Sequence, residues 1–374
     1  MQNPSSIPVT IVTGFLGAGK TTLLNRVLKE NHGQRIAVIE NEFGEVGIDN
    51  ELLVQDSEQI VEMNNGCICC TIRGDLQRNL LELAGKRATG QLAFDRILIE
   101  TTGLADPGPV AQTFFFDEEV QRLYHLDAVL TVVDAKHGDL QLDREETAQK
   151  QVAFADRILL SKTDLVEGDV TQALEKRLLR INPRAQIRHV HFGETPLDQI
   201  LDIQGFDLKA KLEINPKFLE MEAHDHDHHD HECNEHCDHD HGHEHHHHHD
   251  HDHECNEHCD HDHDHGHAHT HLDAVQSFVF RSERAFEMGK LEACLGKLLE
   301  IYGNDLYRYK GLLYLAKEPR QVIFQGVHMM MSSDFGRRWN DGEKKSSIVV
   351  FIGRDLPKDI FEQELTRCLL PAKK

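Results

Sequence analysis

Eight consecutive residues, Gly14-Phe15-Leu16-Gly17-Ala18-Gly19-Lys20-Thr21, have the types and spacing to hold a phosphate chain. The pattern G-x-x-x-x-G-K-[ST] lets successive backbone N–H groups converge on an anion, and a helix starting there adds the positive end of its dipole. In such a cradle Lys20 reaches the β- and γ-phosphates, the Thr21 hydroxyl sits on Mg²⁺, and Thr22 follows in the first helical turn. The bland alternative is a glycine turn. The apolar run from Ile7 to Val12 before it and the helically spaced run to Leu28 after it favour the phosphate reading.

Two further stretches extend that chemistry. Ser161-Lys162-Thr163-Asp164 closes the apolar run Arg157 to Leu160. At a strand end in P-loop GTPases, Asn/Thr-Lys-x-Asp reads guanine, because the carboxylate accepts from the ring imino N–H and the exocyclic amino group, a pair adenine lacks. Ser161 replaces the usual first residue, which weakens one supporting contact and leaves Lys162 and Asp164 intact. Glu100-Thr101-Thr102-Gly103 stands where such enzymes carry Asp-x-x-Gly. The acid holds Mg²⁺ through its water shell, and Gly103 lets a backbone N–H turn toward the γ-phosphate. For these stretches the alternatives are a polar strand-to-helix turn and an acid capping a strand.

A different chemistry belongs to the thiols. Gly66-Cys67-Ile68-Cys69-Cys70 sets three of the nine cysteines within four residues. Soft thiolates select Zn²⁺, Cu⁺ or iron–sulfur clusters, and a fourth ligand must come from elsewhere. Glu40, Glu42 and Glu45 are hard ligands able to complete the set. A redox pair and ordinary core cysteines are the competing readings. A second group lies in the low-complexity tract His224 to His271, which holds 23 histidines and four cysteines. There His231-Glu232-Cys233-Asn234-Glu235-His236-Cys237-Asp238-His239-Asp240-His241 recurs unchanged from His253 to His263, repeating the donor set as His253, Cys255, His258 and Cys259. Neutral imidazole beside thiolate suits Zn²⁺, Ni²⁺ or copper, and the duplication argues against a purification tag.

The elements that must position these groups alternate strand and helix over the first two hundred residues. Arg35 to Glu40, Arg96 to Glu100, Ala128 to Asp134 and Arg157 to Leu160 are near-continuous apolar runs, as in parallel strands buried on both faces. Helices are expected over Asp75 to Arg87, Arg144 to Phe154 and Val170 to Ile181. Ligands bind at the carboxyl ends of such strands, so Glu40, Glu100, Asp134 and the Ser161 turn should share one edge with the phosphate loop. The histidine tract cannot bury enough surface to offset ordering entropy and is expected to be a disordered loop. After it, strands at Val275 to Phe280, Leu312 to Leu315, Gln321 to Phe324 and Ser347 to Ile352, with helices at Phe286 to Tyr302 and Lys358 to Leu369, suggest an antiparallel sheet with helices on one face. The fold class is therefore α/β: a P-loop NTPase domain over residues 1–210 with a mostly parallel sheet, a His-rich metal-binding linker over 211–273, and a small α+β C-terminal domain over 274–374.

Charge and hydropathy narrow the function classes. The net charge is −24, but the tract contributes 15 acidic residues and no Lys or Arg, so the remainder is mildly acidic. No basic stripe marks a nucleic-acid partner. No apolar run approaches a membrane span, and Met1 to Ser6 lacks the features of a signal peptide, which predicts a cytoplasmic protein whose cysteines stay reduced.

Taken together, these motifs resemble the CobW-like metallochaperones, a family of P-loop GTPases. The resemblance covers Gly14 to Thr21, Glu40 to Asp49, Gly66 to Cys70, Glu100 to Gly103 with the following Leu104-Ala105-Asp106-Pro107, Ser161 to Asp164, and Tyr307-Arg308-Tyr309-Lys310-Gly311. It implies a GTPase that binds zinc or a similar metal at Cys-x-Cys-Cys and delivers it, on hydrolysis, to zinc-dependent client proteins. The metal-responsive positions then fall on Glu40, Glu42, Glu45, Cys67, Cys69 and Cys70, and the nucleotide positions on Gly14 to Thr22, Glu100, Lys162 and Asp164. Glu45 and Asp49 are candidates for orienting the attacking water. GTP, Mg²⁺ and Zn²⁺ are the expected ligands, and oligomeric assembly stays open. Passive zinc storage with incidental hydrolysis, and an ATP-dependent kinase or ligase, are the rival functions; Asp164 speaks against the kinase, and thiols between the nucleotide motifs speak against mere storage.

Overall fold

A computed structural model describes residues 6–30, 33–41, 72–206 and 273–371. Its first lobe is built on a six-stranded sheet of β1 (Ile7–Gly14), β2 (Ile36–Asn41), β3 (Arg96–Thr101), β4 (Tyr124–Asp134), β5 (Arg157–Ser161) and β6 (Gln186–Val190). The order is β2-β3-β1-β4-β5-β6 and every pair is parallel. The central strands are apolar because both faces are covered: Val9, Ile11, Val129 and Leu130 are fully buried. From β1 the chain crosses toward β2, and from β4 toward β5 on the opposite side. The switch point between β1 and β4 is therefore where a ligand crevice belongs. Register sets the carboxyl ends side by side: Gly14 pairs with Val132, Glu40 with Glu100, and Asp134 with Ser161. The expected sharing of one edge by these groups is met in the backbone.

Helices connect the strands: α1 (Lys20–Lys29), α2 (Ile72–Ala88), α3 (Gly108–Phe116), α4 (Glu118–Leu123), α5 (Gly138–Arg144), α6 (Glu146–Phe154) and α7 (Gly168–Ile181). The second sheet joins β7 (Val275–Ser282), β8 (Leu306–Leu313), β9 (Arg320–Val327), β10 (Met330–Arg338) and β11 (Ser347–Arg354) in the antiparallel order β10-β9-β8-β11-β7. Helices α8 (Met288–Tyr302) and α9 (Lys358–Arg367) cover one face, where Leu291, Leu295, Phe351 and Phe361 pack with Phe278 and Phe324. Cys294 and Cys368 belong to this core; burial pushes the Cys294 thiol up to about 12, so these two cysteines are packing residues.

The other face of the second sheet lies on the first lobe, and its anchor is Arg308. This guanidinium is buried, pairs with the buried carboxylate of Asp156, donates to the Phe154 carbonyl and stacks over the Phe206 ring at 4.2 Å. Asp156 also accepts from the Val129 amide at 2.9 Å, so one carboxylate ties β4 to β8. Gln325 donates to the Phe206 carbonyl at 2.5 Å. The strand expected over Leu312 to Leu315 therefore begins earlier, at Leu306, because Arg308 and Lys310, which look like surface residues, are interface residues. Strands β6 and β10, both at sheet edges with many exposed positions, are additions to the sequence reading. The segment 207–272, with its histidine tract, lies outside the described residues, but both of its flanks are fixed. Phe206 sits under Arg308, and Asp273 accepts from Arg177 at 2.6 Å.

Removing one partner of a buried ion pair strands the other without solvent. Asp156→Ala should therefore lower stability by about 3–5 kcal/mol in urea unfolding, and Arg308→Met, which strands the buried Asp156 carboxylate, should do so too, whereas Asp156→Leu combined with Arg308→Met leaves neither charge unpaired and should lose clearly less. A double-variant loss equal to the sum of the two single losses would show that the two charges do not depend on each other.

Candidate nucleotide site

The phosphate loop runs from β1 into α1 over the β1–β4 switch point. Its Phe15 amide donates to the Val132 carbonyl at 3.0 Å, and Gly14 lies so near β4 that a β-carbon would stand 2.2 Å from the Val132 oxygen. Lys20 is buried, with its ammonium 3.1 Å from the Gly14 carbonyl and 3.2 Å from that of Phe15. At the start of α1 the Thr21 hydroxyl lies 3.5 Å from the Glu100 carboxylate at the end of β3. Two oxygens of this kind, one neutral and one anionic, suit Mg²⁺, which binds few protein ligands and keeps most of its water. The donor set fits the ion.

Gly103 abuts the same loop. A β-carbon there would lie 2.6 Å from the Leu16 Cα, so this backbone approaches the cradle as only glycine allows. Gln151 on α6 fixes the chain on both sides of the next turn, donating to the carbonyls of Gly103 at 3.2 Å and Ala105 at 3.0 Å. Beyond it the Asp106 carboxylate is 3.6 Å from the Lys150 ammonium of α6, and the chain meets the second lobe at Gly108, where a β-carbon would stand 3.0 Å from the His328 ring. His328 packs against the rings of Phe154 and Tyr307. Burial holds its pKa below the ordinary imidazole value, despite the opposing pull of Asp106. One continuous stretch thus touches the phosphate loop at Gly103 and the second sheet at Gly108.

The base-side residues are similarly organised. Lys162 adopts the left-handed conformation, φ 58°, at the end of β5, and its ammonium donates to the Gly17 carbonyl at 2.8 Å and to Asp134 at 2.7 Å. Burial alone would raise the Asp134 pKa. Hydrogen bonds from Lys162, His137 and the Lys136 amide outweigh it and keep the carboxyl below its usual value. The Ser161 hydroxyl donates to the Ala18 carbonyl at 2.7 Å, so the substituted first position still braces the phosphate loop. Asp164 opens onto a cavity of about 340 Å³ bounded by Gly17 to Gly19, Thr22, Ser161, Lys162 and the turn His191-Phe192-Gly193. That turn is absent from the sequence reading; an aromatic residue beside glycine just past a sixth parallel strand was the available signal.

Family models match in the corresponding places: the CobW/HypB/UreG nucleotide-binding domain over residues 8–189, and the cobalamin synthesis protein cobW C-terminal domain over 275–369. The chain belongs to the CobW family of P-loop GTPases. Among its CobW relatives, zinc chaperone YjiA of Escherichia coli strain K12 is 38% identical over 359 residues, 96% of each chain. Zinc chaperone CobW of Pseudomonas aeruginosa is 34% identical over 401 residues, 99% of this chain and 93% of the relative. The crystal structure of Zn(II)-bound YjiA GTPase from E. coli superposes with a TM-score of 0.70 at 32% identity, covering 98% of this chain and 99% of that one.

In this CobW-family chain the expected metal and water-orienting positions are only partly described. Glu40 is placed by its backbone opposite Glu100, while Glu42, Glu45, Asp49, Cys67, Cys69 and Cys70 lie outside the described residues. So do His231, Cys233, His236, Cys237, His253, Cys255, His258 and Cys259. Among the described residues no three His, Cys, Asp or Glu side chains converge as metal ligands, and no helix is long and apolar enough to cross a membrane.

Two outcomes follow from the stretch between Gly103 and Gly108. Gly103→Ala should push that backbone off Leu16 and reduce GTP turnover by roughly tenfold or more, about 1.4 kcal/mol or more in activation free energy. GDP affinity, read by calorimetry, should change much less. For His328 the unfolded chain takes up a proton near pH 6.5 that the fold resists, so stability is retained above that pH and declines as pH falls below it. The drop in Tm between pH 7.5 and 5.5 should be smaller in His328→Gln than in the unmodified protein.

Proposed function

We propose that the chain is a GTP-hydrolysing metallochaperone that carries zinc, or a similar transition metal, to metal-dependent client proteins. The observation that carries this reading is the stretch from Glu100 to Gly108, which meets the Mg²⁺-type oxygen pair and phosphate loop at one end and the second lobe at the other. A switch placed there senses the γ-phosphate and acts at a distance from it. The names of the near full-length relatives, zinc chaperone and zinc-regulated GTPase metalloprotein activator, support the choice of cargo.

In this reading Asp164 accepts the two guanine N–H groups, and the backbone amides from Gly14 to Gly19 cradle the phosphates. Lys20 neutralises charge on the β- and γ-phosphates. Thr21 and Glu100 hold Mg²⁺, which when bound supplies further charge neutralisation for phosphoryl transfer. Glu45 or Asp49 orients the attacking water. The cargo binds as substrate at the thiolates of Cys67, Cys69 and Cys70, with Glu40, Glu42 or Glu45 completing the set. These segments lie in sequence between the phosphate loop and Glu100, so γ-phosphate and metal bias the same loops. The duplicated donors in the histidine tract form a reservoir of weakly held ions. The cytoplasm, where thiols stay reduced, is the assigned compartment, with zinc-dependent proteins as clients.

Linkage makes the reading measurable. A non-hydrolysable GTP analogue should shift Zn²⁺ affinity by about 1–3 kcal/mol, and the effect must be reciprocal. Cys69→Ser should abolish the shift and the tightest metal ion while GTP still binds. Competition titrations against a chelator, with and without the analogue, give both quantities. Equal Zn²⁺ affinity in the GDP and analogue states would favour passive storage.

A further inference from the structure

The turn after β6 carries a feature that folding alone does not explain. Phe192 has φ 47° and Gly193 φ 75°, and the Glu194 amide closes the turn on the His191 carbonyl at 2.7 Å. Two successive positive φ values belong to a tight turn that normally takes Asn-Gly, and a bulky residue at the first of them is an outlier. Burial of the side chain does not compensate, since Phe192 is 76% exposed. Strained residues of this kind persist where function requires them.

The location supplies the function. Phe192 lies at the mouth of the cavity that holds Asp164 and Lys162. Its ring meets His191 edge-on, with centroids 4.5 Å apart at 75°, and His191 Nδ1 stands 3.4 Å from the Asp164 carboxylate. The turn is fastened to α1, the helix that carries Lys20 and Thr21. A β-carbon on Gly193 would lie 3.2 Å from the Leu23 Cα, and Glu194 pairs with Arg26 at 3.2 Å. One helix therefore fixes both the phosphate cradle and this turn.

We propose that His191-Phe192 is the nucleobase clamp: Phe192 is the aromatic platform on which the base stacks, and His191 is a positioning residue that orients Asp164. The proposal deepens the guanine reading of Asp164 and rests on it for the role of His191. Stacking is tolerant of base identity, because every base has a π-face, so Phe192 contributes affinity. Discrimination is left to Asp164 and to the His191 ring that holds it.

The test uses the full chain and nucleoside diphosphates as probes. Phe192→Asn, a residue that tolerates positive φ, should raise the Tm of the nucleotide-free protein and weaken GDP and ADP alike, by about tenfold, the order expected of one stacked base. Phe192→Trp, which adds an indole to the one at Trp339, should keep GDP affinity and show emission quenched by GDP. His191→Ala should lower the ratio of GDP to ADP affinity, and His191→Asn, whose amide offers a donor near the imidazole Nδ1 position, should restore it. Unchanged GDP affinity in Phe192→Asn, or an unchanged base ratio in His191→Ala, would overturn the respective half of the clamp. Asp164→Asn separates the two readings: if it leaves the base ratio intact, the guanine assignment and the His191 role fail together, whereas the Phe192 result stands independently.

Discussion

A buried guanidinium must have a partner, and Arg308 finds its partner across the boundary between the two sheets. The Asp156 carboxylate that receives it also holds the Val129 amide, so the charge that docks the second lobe is wired into the strands behind the phosphate loop. Such pairs add little stability compared with a hydrophobic replacement, yet separating them leaves an unpaired charge in a dry site. The lobes are therefore poorly suited to drifting apart during a cycle. The neighbouring stretch at Gly103 to Gly108 is held differently, by glycine approaches, the Gln151 hydrogen bonds, the Asp106–Lys150 ion pair and a half-buried imidazole.

The nucleotide edge follows the same division. The parallel sheet delivers its groups by register: Gly14 beside Val132, Glu100 beside Glu40, Asp134 beside Ser161. Interactions among their side chains then fix the finer placement, with Asp134 holding Lys162 and Ser161 bracing Ala18. The substitution at Ser161 consequently costs less than its motif suggests, because the shorter side chain still reaches the loop carbonyl.

Much of this was legible in the sequence where one residue type does one job. Buried parallel strands announce themselves as apolar runs, and the phosphate loop by glycine spacing, so β1 to β5 and the cradle were readable. The edge strand β6 is half exposed, with Arg188 and His189 open to water, and loses that signal, which hid it and with it the turn at His191 to Gly193. The start of β8 was obscured for the opposite reason. Arg308 and Lys310 are charged residues in buried positions, and no periodicity distinguishes a guanidinium that docks on another lobe from one that faces water. The coupling of Gly103 to His328 joins residues more than two hundred positions apart and was invisible to any local pattern.

The anchoring of Phe206 and Asp273 bears on how this chain can vary. Each is secured by its own guanidinium, Phe206 by Arg308 and Asp273 by Arg177, so the residues between them enter and leave the fold at fixed points. Loop-closure entropy grows slowly with length, about 0.6 kcal/mol for each doubling between fixed ends. An eleven-residue unit can thus be copied within the tract, as the repeat of His231 to His241 records, with little effect on the folded lobes. The number of histidines and cysteines can therefore change by duplication without moving either anchor point.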